Sequence, residues 1–202
     1  KEVISIGESY SSLTGQDDWV KSDHLSSDEW RRMIEHEDVQ LLDTRNAYEI
    51  NVGKFKNAKW FDIDTFREFP SAVESHLDEF DREKPLLMYC TGGVRCEKSA
   101  PVFKRLGFKK VYQLNGGILK YMMDMEKDET EDLFEGECFV YDHRVAVAPH
   151  DLNRRSEWRM CKGCMFPVSP DDQQMEGYVA GVSCPNCPSN KAKRKTYAQK
   201  VQ

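Results

Sequence analysis

The stretch Pro85-Leu-Leu-Met-Tyr-Cys90-Thr-Gly-Gly-Val-Arg95-Cys96-Glu-Lys-Ser-Ala100 limits the fold of this chain more than any other. A short apolar run meets two glycines and then a helix-forming segment, which predicts a strand, a tight loop and a helix N-terminus in succession. A cysteine at the carboxyl end of a buried strand, ahead of a turn that aims backbone N–H groups inward, sits in positive potential and favours its thiolate. Arg95 adds a fixed positive charge, which lowers the cysteine pKa further and can hold an anion against the sulfur. Gly92 and Gly93 let the backbone curl around a ligand. Cys90 is therefore the candidate nucleophile, Arg95 its charged companion, and Thr91, Gly92, Gly93 and Val94 the substrate- or anion-binding loop. Read alone, Cys90 would be a small buried apolar residue; its neighbours make sulfur chemistry the better reading. Cys96, at the start of the helix, reads as packed, with resolution of an oxidised Cys90 as the alternative.

The loop resembles the active-site loop of the rhodanese superfamily, in which a cysteine, four residues and an arginine cradle a persulfide or sulfur anion. Protein tyrosine phosphatases place five residues between the two, so the shorter loop here argues against phosphatase activity. The resemblance extends over residues 24–126. Leu41-Leu-Asp-Thr-Arg45 with Glu49 matches an early strand-and-turn signature, and Leu114-Asn-Gly-Gly117 matches the turn after the last strand. Asp43, Arg45 and Glu49 read as structural, holding loops beside the site through hydrogen bonds and ion pairs.

The pattern of the chain supports the same architecture. Ser26-Ser-Asp-Glu29 is a capping box, and Trp30, Met33 and Ile34 follow at helical spacing, which predicts a helix over 26–36. Val39 to Arg45 reads as a buried parallel strand. Residues 49–64 read as a loop leading to another short strand, with helical segments over 64–68 and 71–80. Ala100, Phe103 and Leu106 share a helical face that Gly107 ends. Lys110 to Leu114 is a strand, 115–117 a turn, and Ile118 begins a further helix. Strands alternating with helices predict an α/β fold, a rhodanese-like parallel sheet flanked by helices, with the site beyond a strand's carboxyl end.

Residues 127–202 read as an extension. Phe134 to Val147 is rich in aromatic and β-branched residues and reads as strand. Cys138 and His143 have no neighbour at ligand spacing and read as core or surface positions. Cys161-Lys-Gly-Cys164 and Cys184-Pro-Asn-Cys187 stand nineteen residues apart, the spacing of a zinc-ribbon-like four-cysteine site. Four thiolates suit a tetrahedral structural zinc, which would staple a segment with little core of its own. A redox role for either pair is the alternative. Lys191-Ala-Lys-Arg-Lys195 forms a basic tail, either solvated or in contact with tRNA.

The chain is 32% charged with a mean hydropathy of -0.70, and it has neither an apolar run of membrane-spanning length nor a secretory leader. Seven cysteines, four of them in metal spacing, suit a reducing compartment, and the expected location is the cytoplasm. Residues 143–202 carry 10 Lys and Arg against 5 Asp and Glu, whereas residues 1–142 carry 19 against 30. That asymmetry suits an anionic partner for the basic end.

Tyr89 to Lys98, Tyr112 to Tyr121 and Glu135-Gly-Glu-Cys-Phe-Val-Tyr-Asp-His-Arg144, with Glu2 to Gly7, resemble one rhodanese subfamily, the tRNA uridine hydroxylases. That resemblance implies oxygen-dependent hydroxylation at carbon 5 of uridine 34 in tRNA, with dioxygen as co-substrate and Cys90 as the essential cysteine. It also implies a small α/β domain upstream, of which residues 1–23 would be the trailing linker; the chain begins at Lys1 rather than Met. The residues alone favour a sulfurtransferase, taking sulfur from a donor onto Cys90. No motif for a flavin, haem or nicotinamide is present.

Overall fold

The computed structural model describes residues 23–126 and 132–187. The expected linker up to residue 22 and the basic run 191–195 lie outside the described residues. The described residues form two compact units. The first takes in everything up to Phe139 together with Ala148–Leu152; the second takes in Val140–Val147 and the residues from Asn153 onward.

In chain order the first unit carries β1 (Asp23–Leu25), α1 (Ser27–His36), β2 (Gln40–Asp43), α2 (Ala47–Ile50), β3 (Gly53–Phe55) and β4 (Lys59–Trp60). After these come α3 (Phe69–His76), β5 (Leu86–Tyr89), α4 (Val94–Arg105), β6 (Val111–Leu114), α5 (Gly117–Met125), β7 (Phe134–Gly136) and β8 (Cys138–Phe139). Single 3-10 turns at Phe66–Glu68 and Leu77–Glu79 flank α3. Five strands form one sheet in the order β1-β6-β5-β2-β4, and every pairing is parallel. This is the parallel α/β arrangement expected from the alternation of apolar runs and helical periods.

Local chemistry explains the elements. Ser26 caps α1 reciprocally with Glu29: the Glu29 N–H donates to the Ser26 hydroxyl at 3.3 Å, and the Ser26 N–H donates to the Glu29 carboxylate at 2.9 Å. Trp30 and Met33 then turn inward. All four residues of β5 are buried, as a central parallel strand requires. Gly107, with φ +93, ends the helix that spans Ala100 and Phe103.

Over residues 49–64 the expected short strand is present as β4, paired parallel with β2, but the stretch before it is not all loop. A helical turn, α2, occupies Ala47–Ile50, and Gly53–Phe55 forms a strand that pairs antiparallel with β7. The sequence reading starts the extension at 127, whereas β7 and β8 cluster with the first unit. Aromatic packing accompanies the pairing. The Phe55 ring lies 4.8 Å from Tyr89, 4.9 Å from Tyr121 and 5.3 Å from Phe134, centroid to centroid. The expected continuous strand over Phe134 to Val147 is interrupted at Asp142–Val145, where the Val145 N–H donates to the Asp142 carbonyl.

The second unit contains β9 (Ala146–Val147), β10 (Arg159–Met160) and β11 (Pro167–Val168). β10 and β11 form an antiparallel hairpin. Among the described residues, no helix is long and apolar enough to cross a membrane.

Candidate active site and metal centre

Strands β6, β5 and β2 are neighbours running in one direction, so the residues after their carboxyl ends meet. Cys90 follows β5, Thr44 and Arg45 follow β2, and the Gly116–Gly117 turn follows β6. The Cys90 sulfur is nearly enclosed, at 2% exposure, and accepts a hydrogen bond from the Gly93 N–H at 3.1 Å. Gly93 reaches that geometry with φ +88, a conformation open to glycine and costly for other residues. Gly92 and Val94 are exposed at the rim.

The loop is braced from behind. The Ile118 N–H donates to the Cys90 carbonyl at 3.0 Å and the Leu119 N–H to the Thr91 carbonyl at 3.1 Å. The first turn of α5 thereby spends its unpaired N–H groups on the loop. Gly117 must be glycine for this contact, because a Cβ there would stand 2.5 Å from the Cys90 oxygen, and its φ is +66.

Arg95 and Glu49 were separate features in the sequence; the structure joins them. The Arg95 guanidinium donates through Nη1 and Nη2 to the two Glu49 oxygens at 2.7 and 3.0 Å, both residues being buried. Thr91 Oγ1 also donates to Glu49, at 3.4 Å. The expectation that Arg95 holds an anion against the sulfur is thus modified: its fork is committed to Glu49, and its charge acts on Cys90 through space. Asp43 and Arg45 form a second buried pair at 2.7 Å, and Arg45 Nη2 donates to the Gly53 carbonyl at 2.6 Å. They hold β2 to the α2–β3 segment, the structural role read for them. Removing one partner of a buried pair strands the other charge. Glu49→Ala is therefore expected to lower stability by about 3–5 kcal/mol, read by denaturant unfolding.

Cys96 sits on the first turn of α4, fully buried. The neighbouring Cys96 thiol, with the Arg95 charge and the Arg95 and Cys96 N–H groups, outweighs burial to hold Cys90 down at about 6. Cys96 itself is pushed well up by burial and by the neighbouring Cys90. Thr44 Oγ1 lies 3.6 Å from the Cys96 sulfur and 3.0 Å from the Tyr89 carbonyl, to which it donates. A small alkylating reagent should therefore label Cys90 with a half-maximal rate near pH 6, falling below that pH as the thiolate is protonated. A midpoint at or above the roughly 8.5 of a free thiol, in folded protein, would contradict this electrostatic account.

In the second unit the four expected cysteines converge. The sulfurs of Cys161, Cys164, Cys184 and Cys187 all lie within 4.8 Å of one another, with 3.5 Å between Cys161 and Cys187 and 3.6 Å between Cys164 and Cys184. Tetrahedral zinc with thiolate bonds of about 2.3 Å puts sulfurs about 3.8 Å apart, so the cluster fits such an ion. The first pair caps the β10–β11 hairpin, where the Cys161 N–H donates to the Phe166 carbonyl at 3.0 Å. Gly163 fits because a Cβ there would stand 3.0 Å from the Cys187 sulfur. Burial opposes ionisation of Cys161, yet the N–H groups of Cys164 and Gly163 and the Cys187 thiol bring it to about 7. Cys138 and His143 lie outside this cluster: Cys138 is buried and pushed up to about 12 by that burial, and His143 is exposed.

Comparison with known proteins follows the same lines. The rhodanese-like domain family matches residues 26–124. Over 190 residues the chain is 43% identical to the tRNA uridine(34) hydroxylase of Pelagibacter ubique (strain HTCC1062). The match takes in 94% of this chain, which spans 59% of the length of that relative. Among solved structures, a rhodanese-like domain protein from Staphylococcus aureus is 24% identical over 49% of this chain and 90% of its own, with a TM-score of 0.41. The rhodanese-like domain of the Anabaena Alr3790 protein is 16% identical over 69% of this chain and 96% of its own, with a TM-score of 0.46. Residues 26–124 thus match the rhodanese-like domain family, and they supply β2, β4, β5 and β6 of the five-stranded parallel sheet.

Proposed function

We propose that this protein hydroxylates carbon 5 of uridine 34 in tRNA, with dioxygen as co-substrate and Cys90 as the reacting sulfur. The observation that carries the reading is the 43% identity to a tRNA uridine(34) hydroxylase over 190 residues, a span too long to come from the rhodanese-like domain alone. The geometry supports a reactive sulfur. Cys90 is a buried thiolate at the mouth of a loop whose Gly93 N–H donates to it. Arg95, fixed by Glu49, supplies positive potential without leaving the site. Thr91, Gly92, Gly93 and Val94 form the wall against which the base would rest. Cys161, Cys164, Cys184 and Cys187 would hold one structural zinc. The substrate is a nucleic acid of the cytoplasm, and the protein would act there.

A second reading is supported by the thiolate cradle in a rhodanese-like domain. In it Cys90 attacks the outer sulfur of thiosulfate, forming a persulfide and releasing sulfite, and the persulfide sulfur then passes to a nucleophile such as cyanide. Nucleoside analysis of tRNA from cells with and without the gene separates the two. The first reading predicts that 5-hydroxyuridine derivatives at position 34 disappear with the gene under aerobic growth. Unchanged levels, in a strain with no other route to them, would leave the sulfurtransferase.

A further inference from the structure

Hydroxylating a C–H bond with dioxygen consumes four electrons' worth of oxidant but takes only two electrons from the substrate. Two more must come from elsewhere. The site itself contains a two-electron donor that the proposed function leaves unused. Cys96 is fully buried and belongs to the same packed cluster as Cys90, with Thr44 Oγ1 3.6 Å from its sulfur. Two free thiols, one of them the reacting sulfur, are thereby buried together behind one loop.

We propose that Cys90 and Cys96 are a redox dithiol that closes to a disulfide during the reaction and supplies the two electrons that dioxygen requires beyond those of the uridine C–H bond. The inference takes its oxidant from the hydroxylase reading. Overall, the Cys90 thiolate, the Cys96 thiol, one proton, dioxygen and the uridine C5–H give the disulfide, the C5–OH and one water. The O–O bond and the C5–H bond break; C–O and S–S bonds form. The step assigned to Cys96 is the last one. With the second oxygen left on Cys90 as a sulfenic acid, the Cys96 sulfur attacks the Cys90 sulfur, the S–O bond breaks, and oxygen leaves as water. Burial is the larger cause that raises Cys96; oxidation of Cys90 removes the other, the neighbouring negative charge, and so eases ionisation of the second thiol. An external thiol then reopens the disulfide by attack at Cys90, the sulfur at the loop mouth.

The test uses the fully reduced full-length protein mixed with tRNA in air with no other reductant, followed by nucleoside analysis and differential alkylation with peptide mass spectrometry. The expected result is one Cys90–Cys96 disulfide for each hydroxyuridine formed. Cys96→Ser keeps a small polar group at that position but cannot form the disulfide. It should lose at least roughly tenfold in hydroxylation. Hydroxyuridine made with both thiols still free, or Cys96→Ser as active as the parent, overturns the dithiol and leaves the hydroxylase reading standing. If no hydroxyuridine forms at all, the hydroxylase reading fails, and hydrogen peroxide decides the pair alone. A disulfide in the parent and none in Cys96→Ser upholds it, and free thiols in both overturn it.

Discussion

Cys90→Ala in the full-length protein is expected to abolish hydroxylation of uridine 34, by roughly a thousandfold or more, while leaving the fold in place. The surroundings favour the Cys90 thiolate, the Gly93 N–H donating to the sulfur and the neighbouring Cys96 thiol and the Arg95 charge lowering its pKa. Alanine removes it without disturbing the brace, because the contacts from α5 go to the backbone carbonyls of Cys90 and Thr91. Transfer of sulfur from thiosulfate to cyanide should disappear in the same variant. Nucleoside analysis and a thiocyanate assay on one preparation read both. If hydroxylation persists while sulfur transfer is lost, Cys90 serves only the second chemistry.

Removal of the metal is expected to have the larger structural effect. Apart from the four cysteines, the buried cluster around their sulfurs holds Val168, with Tyr178 packed against it. The two short strands of residues 153–187 and that cluster offset little of the entropy of ordering the segment. Binding of zinc by four thiolates contributes about 10–16 kcal/mol in small zinc domains, so with zinc at these cysteines metal binding and folding of residues 153–187 would be one event. Elemental analysis should find one zinc per chain, and a strong chelator should open the segment to proteolysis while residues 26–124 stay protected. Cys184→Ser should behave as the chelated protein does. A metal-free preparation whose second unit resists protease would contradict the closed site.

What could be read from the sequence divides by distance along the chain. The capping box at Ser26 and Glu29, the apolar run Leu86–Tyr89 and the loop from Cys90 to Arg95 are local patterns, in which residues a few positions apart determine one another's geometry. The two cysteine pairs are non-local, yet their fixed internal spacing announces a shared ion. Glu49 and Arg95 lie 46 residues apart, and neither carries a mark that the other is its partner. Thr44 reaches Cys96 only because β2 and β5 are adjacent and parallel. Gly117 reads as a turn residue; that it lies against the Cys90 carbonyl follows from β6 being the other neighbour of β5. The pairing of β3 with β7 was hidden for a different reason. Gly53–Phe55 is too short and too polar at Lys54 to show a strand period, and it becomes a strand when Phe134–Gly136 provides its edge.

The proposed function requires that the oxygen placed on uridine 34 come from dioxygen, by way of Cys90. The most direct test incubates the purified full-length protein, reduced, with tRNA from a strain lacking the gene, under isotopically heavy dioxygen, and measures the mass of the modified nucleoside. The account predicts heavy oxygen at carbon 5 of uridine 34 with the parent protein and an unmodified uridine with Cys90→Ala. A hydroxyl carrying only light oxygen, or full modification by Cys90→Ala, would contradict it.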